Sequence, residues 1–548
     1  MKKKIYIGAA LLSLLVLASF SRTSERYFEI AKNLDIFATM FKEVNALYVD
    51  EVNPNQLVRT GIDAMLGSLD PYTNYIPEDE VEDYRTMNTG QYGGIGAVTR
   101  EIDNRTVVTM IMKGFGAEAG GLKIGDEIVQ INDLDLAKLT REQSAQIMKG
   151  QIGTPVSLTV KRMGHAQPIR LEFKREKIKV HNVPYSGMVG NDIAYVQLSD
   201  FTPDAGKEVK QALLALKEQG ATAAIIDLRG NPGGLLMEAV NVSNLFIPKG
   251  KLVVSTLGKI PENNLNYETL NTPFDVDMPV AVLINRSSAS ASEIVAGTLQ
   301  DYDRGIIIGE KSYGKGLVQV SRPLSYNSQL KVTTAKYYTP SGRCIQVLDY
   351  AHRRPDGSVG AIPDSLKKTF KTPNGRLVYD GGGIDPDIKT KTEEAHALTQ
   401  VLYEKGFLFD FATYYTFKNP APVDPKTFRL SDDDYKLFVT WMKDKDYAYK
   451  SLVEHELEQF LEEAKKERYY SDLKTQLDQV NARIAENKKN ELMLYQDQIR
   501  MLIEEEIVSR HHLERGAIEA RFKYDNDVKK AVEVLHDAAL YKKSLNIQ

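Results

Sequence analysis

The sequence has little of what builds a metalloprotein or a disulfide-stapled domain. One cysteine, Cys344, in 548 residues excludes any intramolecular disulfide and any multi-cysteine zinc or iron–sulfur site. Eight scattered histidines offer no histidine-rich metal site, so no cofactor or metal is expected. An excess of charge of one sign is also missing. With 70 Lys and Arg against 74 Asp and Glu, nothing attracts a polyanion, and no nucleic-acid partner is expected. Composition close to soluble-globular usage excludes a disordered chain and a polytopic membrane protein. The length calls for about three or four domains.

The first twenty residues set the compartment. Lys2, Lys3 and Lys4 precede an apolar run from Ile5 to Phe20. That is the pattern of an export signal, shorter than a comfortable membrane span. Ser19 and Ser21 suit a signal peptidase, whereas Ala18 and Phe20 do not, so residues 1–21 are read as a signal peptide or an N-terminal anchor. No cysteine follows, which excludes a lipoprotein anchor. The rest is expected to be exported: periplasmic, or membrane-associated through this segment and facing the periplasm.

Four further regions follow. In 22–88, Phe28, Ala31, Leu34, Phe37, Phe41 and Val44 recur at helical spacing, and a second helix runs from Pro54 to Leu66. In 89–176, short strands such as Val107–Ile111, Glu127–Ile131 and Val156–Val160 surround one helix, giving a small β-rich module. In 177–392, strands Ala223–Leu228, Val280–Ile284 and Ile306–Ile308 alternate with helices. This predicts a parallel sheet, whose ligands sit beyond the carboxyl ends of its strands. Two unusual loops, Gly230–Gly234 and Ser287–Ser292, fall at such ends. In 393–548, Glu/Lys-rich helices carry no catalytic motif. Leu457, Phe460, Leu461 and Ala464 mark an amphipathic face, which predicts a support or partner-docking domain.

Several motifs are weaker than they look. Gly309 to Lys315 fits GxxxxGK, but Gly316 stands where a P-loop needs Ser or Thr. Ser471 to Lys474 fits SxxK inside a charged, solvated helix. His455-Glu456 lacks the second histidine of a zincin, and no GxSxG elbow occurs. Stronger is the run Ser287-Ser288-Ala289-Ser290-Ala291-Ser292-Glu293, between a buried strand and a helix N-terminus that favours developing negative charge. Local reasoning leaves Ser288, Ser290 and Ser292 undecided, and Ser292 also fits a plain helix cap. Lys315, between Gly314 and Gly316 after the next strand, becomes a competent base if desolvation lowers its pKa. Gln319 is placed to orient its amine.

These stretches, with Leu69-Asp70-Pro71-Tyr72-Thr73, Asp227-Leu228-Arg229-Gly230-Asn231-Pro232-Gly233-Gly234, Tyr337 to Arg343 and Gly383 to Asp387, resemble the carboxy-terminal processing (tail-specific) serine proteases. The match runs in the family's order over about residues 25–390. The resemblance implies an α+β multidomain chain. Its α/β protease core would be a ClpP/crotonase-like parallel sheet, with an inserted PDZ domain, N-terminal helices and a C-terminal helical domain. It further implies that Ser290 is the nucleophile, Lys315 the general base and Gln319 its orienting partner. Backbone N–H groups of Gly233 and Ala291 would form the oxyanion hole. The β-rich module resembles a PDZ domain, with Gly94, Ile95, Gly96 and Ala97 as the loop that receives a peptide's terminal carboxylate. The expected substrates are proteins or peptides with apolar C-termini. The N-terminal hairpin is open to homodimerisation, as in relatives. The rival from another class is a catalytically silent PDZ scaffold with a partner-docking tail, which would have no need of all three of Ser290, Lys315 and Gln319.

Overall fold

The computed structural model describes residues 27–391 and 395–547, so the expected export segment lies outside it. Two compact units result: residues up to Glu78 with Ser321–Thr333, and Asp79–Val320 with Thr334 onward. In the first, a helix over 27–47 leaves Phe28, Leu34, Phe37 and Leu47 exposed. The helix Pro54–Gly67 starts at Asn53, whose side chain accepts from the N–H groups of Asn55 and Gln56. Buried Asp70 accepts from Tyr72 and Thr73 N–H, turning the chain into the strand Asn74–Ile76. That strand pairs antiparallel with Gln329–Lys331. This pairing is why a segment expected within 177–392 folds with the N-terminal helices instead.

In the second unit, the β-rich module is an antiparallel sheet in the order Ala97–Ile102, Arg105–Ile111, Glu127–Ile131, Pro155–Lys161, Ile169–Lys174. Ile95, Val108, Ile111, Ile128 and Leu158 fill its core. The chain enters and leaves along one ribbon, Gln91–Gly94 against Glu176–Lys179.

The core sheet has six strands in the order Tyr185–Val189, Ile193–Gln197, Ala223–Asp227, Val280–Ile284, Ile306–Gly309, Ile388–Lys389. All neighbours are parallel except the first pair. Successive side chains alternate between its faces. Ala224, Ile226, Val280, Val282 and Ile284 meet the helices Ala205–Glu218, Leu236–Ser243 and Ala291–Asp301. These helices come from the strand–loop–helix repeats themselves.

The opposite face holds Tyr195, Ala223, Ile225, Ala281, Leu283, Ile306 and Ile308. It is covered by Ile518, Val528, Ala531, Val534, Leu535 and Leu545 from the end of the chain. At about 1.5–3 kcal/mol for each fully buried Val, Leu or Ile, this layer is a major part of the core's stability. Helices beyond 393 thus pack on the core sheet as well as on one another. Earlier tail helices build their own core around Leu402, Phe411, Phe438, Ile499 and Ile503. Phe460, expected on a buried face, is 50% exposed. The passage from bundle to sheet occurs within the helix Gln496–Arg521, where Leu513 breaks the helical conformation (φ 55°, ψ −152°). Leu513 also packs on the β-rich module's core. That module is held further by Phe409 against Ile102 and Val107, and by a 2.8 Å Arg105–Asp410 ion pair.

Candidate active site

Three adjacent parallel strands end at one edge of the sheet, and each releases a loop there. Ala223–Asp227 leads to Leu228–Gly234, Val280–Ile284 to Asn285–Ser290, and Ile306–Gly309 to Glu310–Gly316. The first two loops are zipped together by side chains. Fully buried Asn231 accepts at its carbonyl from Ala289 N–H and Ser292 Oγ, and its side-chain nitrogen donates to the Leu198 carbonyl. Asn285 Oδ1 accepts from the N–H groups of Gly230 and Ser287. Ser288 Oγ donates to the Leu228 carbonyl at 2.9 Å. Ser288 and Ser292 are thus buried with their hydroxyls spent on backbone carbonyls, while Ser290 between them is only half-buried. Ser290 stands at the N-terminus of the helix Ala291–Asp301 in a backbone conformation rare outside glycine (φ 54°, ψ −111°). A strained non-glycine residue at a loop-to-helix turn persists only where its surroundings hold it, as at functional sites.

Glu293 holds it. This fully buried carboxylate accepts from Ser290 N–H (2.8 Å), Ser312 Oγ (2.6 Å), Gly314 N–H (2.6 Å) and Lys315 N–H (2.9 Å). One side chain therefore fixes the serine loop and the lysine loop against each other. Burial pushes its pKa up to about 7, although all four donors favour the ionised form. Sequence reasoning passed over Glu293. The signal was the Ser-x-x-Glu spacing of a capping box.

Lys315 is half-buried on this loop, and Gln319 is half-buried on the strand Leu317–Pro323 that follows. The strand also disposes of the P-loop match, which needs a helix there. Gly233 (φ 101°) lies directly against the serine turn. A Cβ there would stand 2.8 Å from Ser290 Cβ and from Ala291 N. Its N–H donates to Asn231 Oδ1 at 2.8 Å, so in this conformation it is already spoken for. Ala291 N–H opens the helix, where first-turn amides have no intrahelical acceptor. The other serine–lysine match, Ser471 with Lys474, is on an exposed helix surface.

In the β-rich module, Gly94, Ile95 and Gly96 are buried and Ala97 is half-buried. The Ile95 carbonyl accepts from Ala117 N–H, and the Gly96 carbonyl from Met112 N–H. Gly96 (φ 78°) leaves no room for a side chain, since a Cβ would lie 2.5 Å from Phe115 Cβ. The strand Ala97–Ile102, which this loop feeds, is an edge of its sheet and, among the described residues, pairs only with Arg105–Ile111. An extended peptide can add there.

The fold and site thus define a serine-loop α/β core carrying a PDZ-like module. Family models agree, matching Peptidase family S41 over residues 192–351, a PDZ domain over 85–161, and a probable PDZ-protease C-terminal helical domain over 398–535. A carboxy-terminal-processing protease of Bartonella bacilliformis is 37% identical over 344 residues, covering 62% of this chain and 78% of that one. A probable CtpA-like serine protease of Staphylococcus aureus is 33% identical, covering 69% and 75%. Among solved structures, a photosystem II D1 C-terminal processing protease aligns at 24% identity over 65% of this chain and 92% of that one, with a TM-score of 0.35. The chain belongs to the carboxy-terminal-processing serine protease family, and it carries a PDZ domain and a C-terminal helical domain.

Proposed function

We propose that this chain is an exported serine endopeptidase that cleaves proteins with apolar C-terminal tails through a Ser290–Lys315 dyad. The observation that carries the reading is the Glu293 carboxylate, which bonds the backbones of both residues and so brings the two loops into one site. In the proposed reaction, the neutral Lys315 amine takes the Ser290 Oγ proton as Oγ attacks the scissile carbonyl carbon. The C–N bond then breaks, and Lys315 returns the proton to the leaving amine. Water attacks the acyl-enzyme by the same route, giving its proton to Lys315 and regenerating Ser290. Gln319 orients the amine. Ala291 N–H receives the oxyanion, joined by Gly233 N–H once Asn231 Oδ1 yields it. The Gly94–Ala97 loop takes the substrate's terminal carboxylate, with the peptide added along Ala97–Ile102. Export rests on the residues 1–21 pattern.

The test uses the full chain and a protein substrate with an apolar tail. Ser290→Ala and Lys315→Ala are expected to abolish cleavage with the fold retained. Lys315→Arg is expected to fail equally, because a guanidinium stays protonated. A substrate with an amidated terminus is expected to bind more weakly than its free-carboxylate twin. Turnover by any of the three variants would refute the dyad, and equal affinity of the twins would refute carboxylate capture.

A further inference from the structure

The loop expected to carry the oxyanion site is tied to the far end of the chain. Arg229 directly precedes Gly230, and its guanidinium holds three carboxylates at once. It donates to both oxygens of Asp227 (2.6–3.1 Å), to both oxygens of Asp525 (2.7 and 3.0 Å) and to Asp527 Oδ2 (2.8 Å). Planar, two-sided donation of this kind fixes orientation as well as distance. The cluster is largely shielded, with the Arg229 side chain 20% exposed and those of Asp227, Asp525 and Asp527 between 4% and 16%. Asp525 has a second task. Its Oδ1 accepts from the N–H groups of Asp527 and Val528 and so caps the helix Asn526–His536, which covers the sheet's far face.

Three of the four residues that follow Arg229 are engaged with the serine loop or lie against it. Gly230 N–H is bonded to Asn285, Asn231 to Ala289 and Ser292, and Gly233 lies against Ser290. A displacement at Arg229 is therefore passed toward Gly233 through the bonds made by Gly230 and Asn231.

We infer that Arg229, Asp525 and Asp527 form a positioning set through which the C-terminal tail holds the Leu228–Gly234 loop in catalytic register. This rests on the proposed Ser290 chemistry. None of the three residues touches substrate in this scheme. They act through Gly233.

The test compares the full-length protein with Asp527→Asn and with the double variant Asp525→Asn/Asp527→Asn. Asn at 525 retains a good cap, and Asp227 still neutralises Arg229, so the fold is expected to survive. For the double variant, kcat on a peptide substrate should fall about tenfold or more while KM stays within about twofold. Acylation of Ser290 by a fluorophosphonate should slow in parallel, with Asp527→Asn intermediate. Hydrogen exchange at the amides of Gly230, Asn231, Gly233 and Gly234 reads the positioning without relying on catalysis, and it should quicken in the double variant. If wild-type Ser290 does not label, the dyad reading fails, and the exchange data alone decide the tail's role. Unchanged kcat with unchanged exchange would overturn the inference and leave the tail a cover for the sheet.

Discussion

The two faces of the core sheet are equally dry but differently supplied. One is covered by helices that follow their own strands, including Ala291–Asp301, which starts at Ser290. The other is covered by residues beyond Leu513, far along the chain from the strands they protect. A parallel sheet needs both faces buried, and the repeating strand–loop–helix segment provides only one layer. The tail is therefore the second layer of the core as well as a helical domain in its own right.

The largest loss is expected from a buried charge on either face. Val295→Asp on the near face and Val534→Asp on the far face both place an unpaired carboxylate at a fully buried site. Each is expected to abolish the cooperative thermal transition of the core, followed by near-UV circular dichroism. A normal melt for Val534→Asp alone would make the far layer dispensable. Gly233→Ala separates packing from chemistry. At φ 101° the methyl would stand 2.7 Å from the Ala289 carbonyl oxygen and 2.8 Å from Ser290 Cβ. The chain should fold, yet single-turnover acylation should slow about 10²-fold; a wild-type rate would show that the loop need not approach so closely.

The smallest effect concerns Glu293 on the near-face helix. Its pKa is raised from an ordinary 4.5 to about 7, so between those values the native state holds a proton that the unfolded chain has released. Stability from this group is present below pH 4.5 and is lost as pH rises toward 7. Relative to Glu293→Gln, which has no such titration, wild-type Tm should fall by a few degrees across that window. Parallel Tm curves for the two proteins would mean that Glu293 stays ionised throughout, held by its four donors.

Much of this was legible in the sequence. The buried strands Val280–Ile284 and Ala223–Asp227 announced themselves as short apolar runs ending in Ser-rich and Gly-rich loops, and the parallel-sheet rule placed those loops together. The choice among Ser288, Ser290 and Ser292 was not legible locally. It depends on which hydroxyls meet the Leu228 and Asn231 carbonyls, and that is a property of the neighbouring loop. The Arg229–Asp525 contact was beyond reach, because an aspartate at a helix start reads as a cap wherever it lies. Helical periodicity in Val528, Ala531, Val534 and Leu535 tells that a face is buried, never what it is buried against. The pairing of Asn74–Ile76 with residues 329–331 is out of reach for a similar reason, since strand pairing across such a separation leaves no local trace.

The far layer also sets a clock. During synthesis the strands up to Ile308 emerge long before Val528 to Leu545, and at about 5–20 residues per second the interval is on the order of tens of seconds. Throughout that time Tyr195, Ile225, Leu283 and Ile308 have no cover, and Arg229 has only Asp227 to hold. The nascent chain thus lacks a finished core, and the Leu228–Gly234 loop gains its second anchor only when Asp525 and Asp527 have been made.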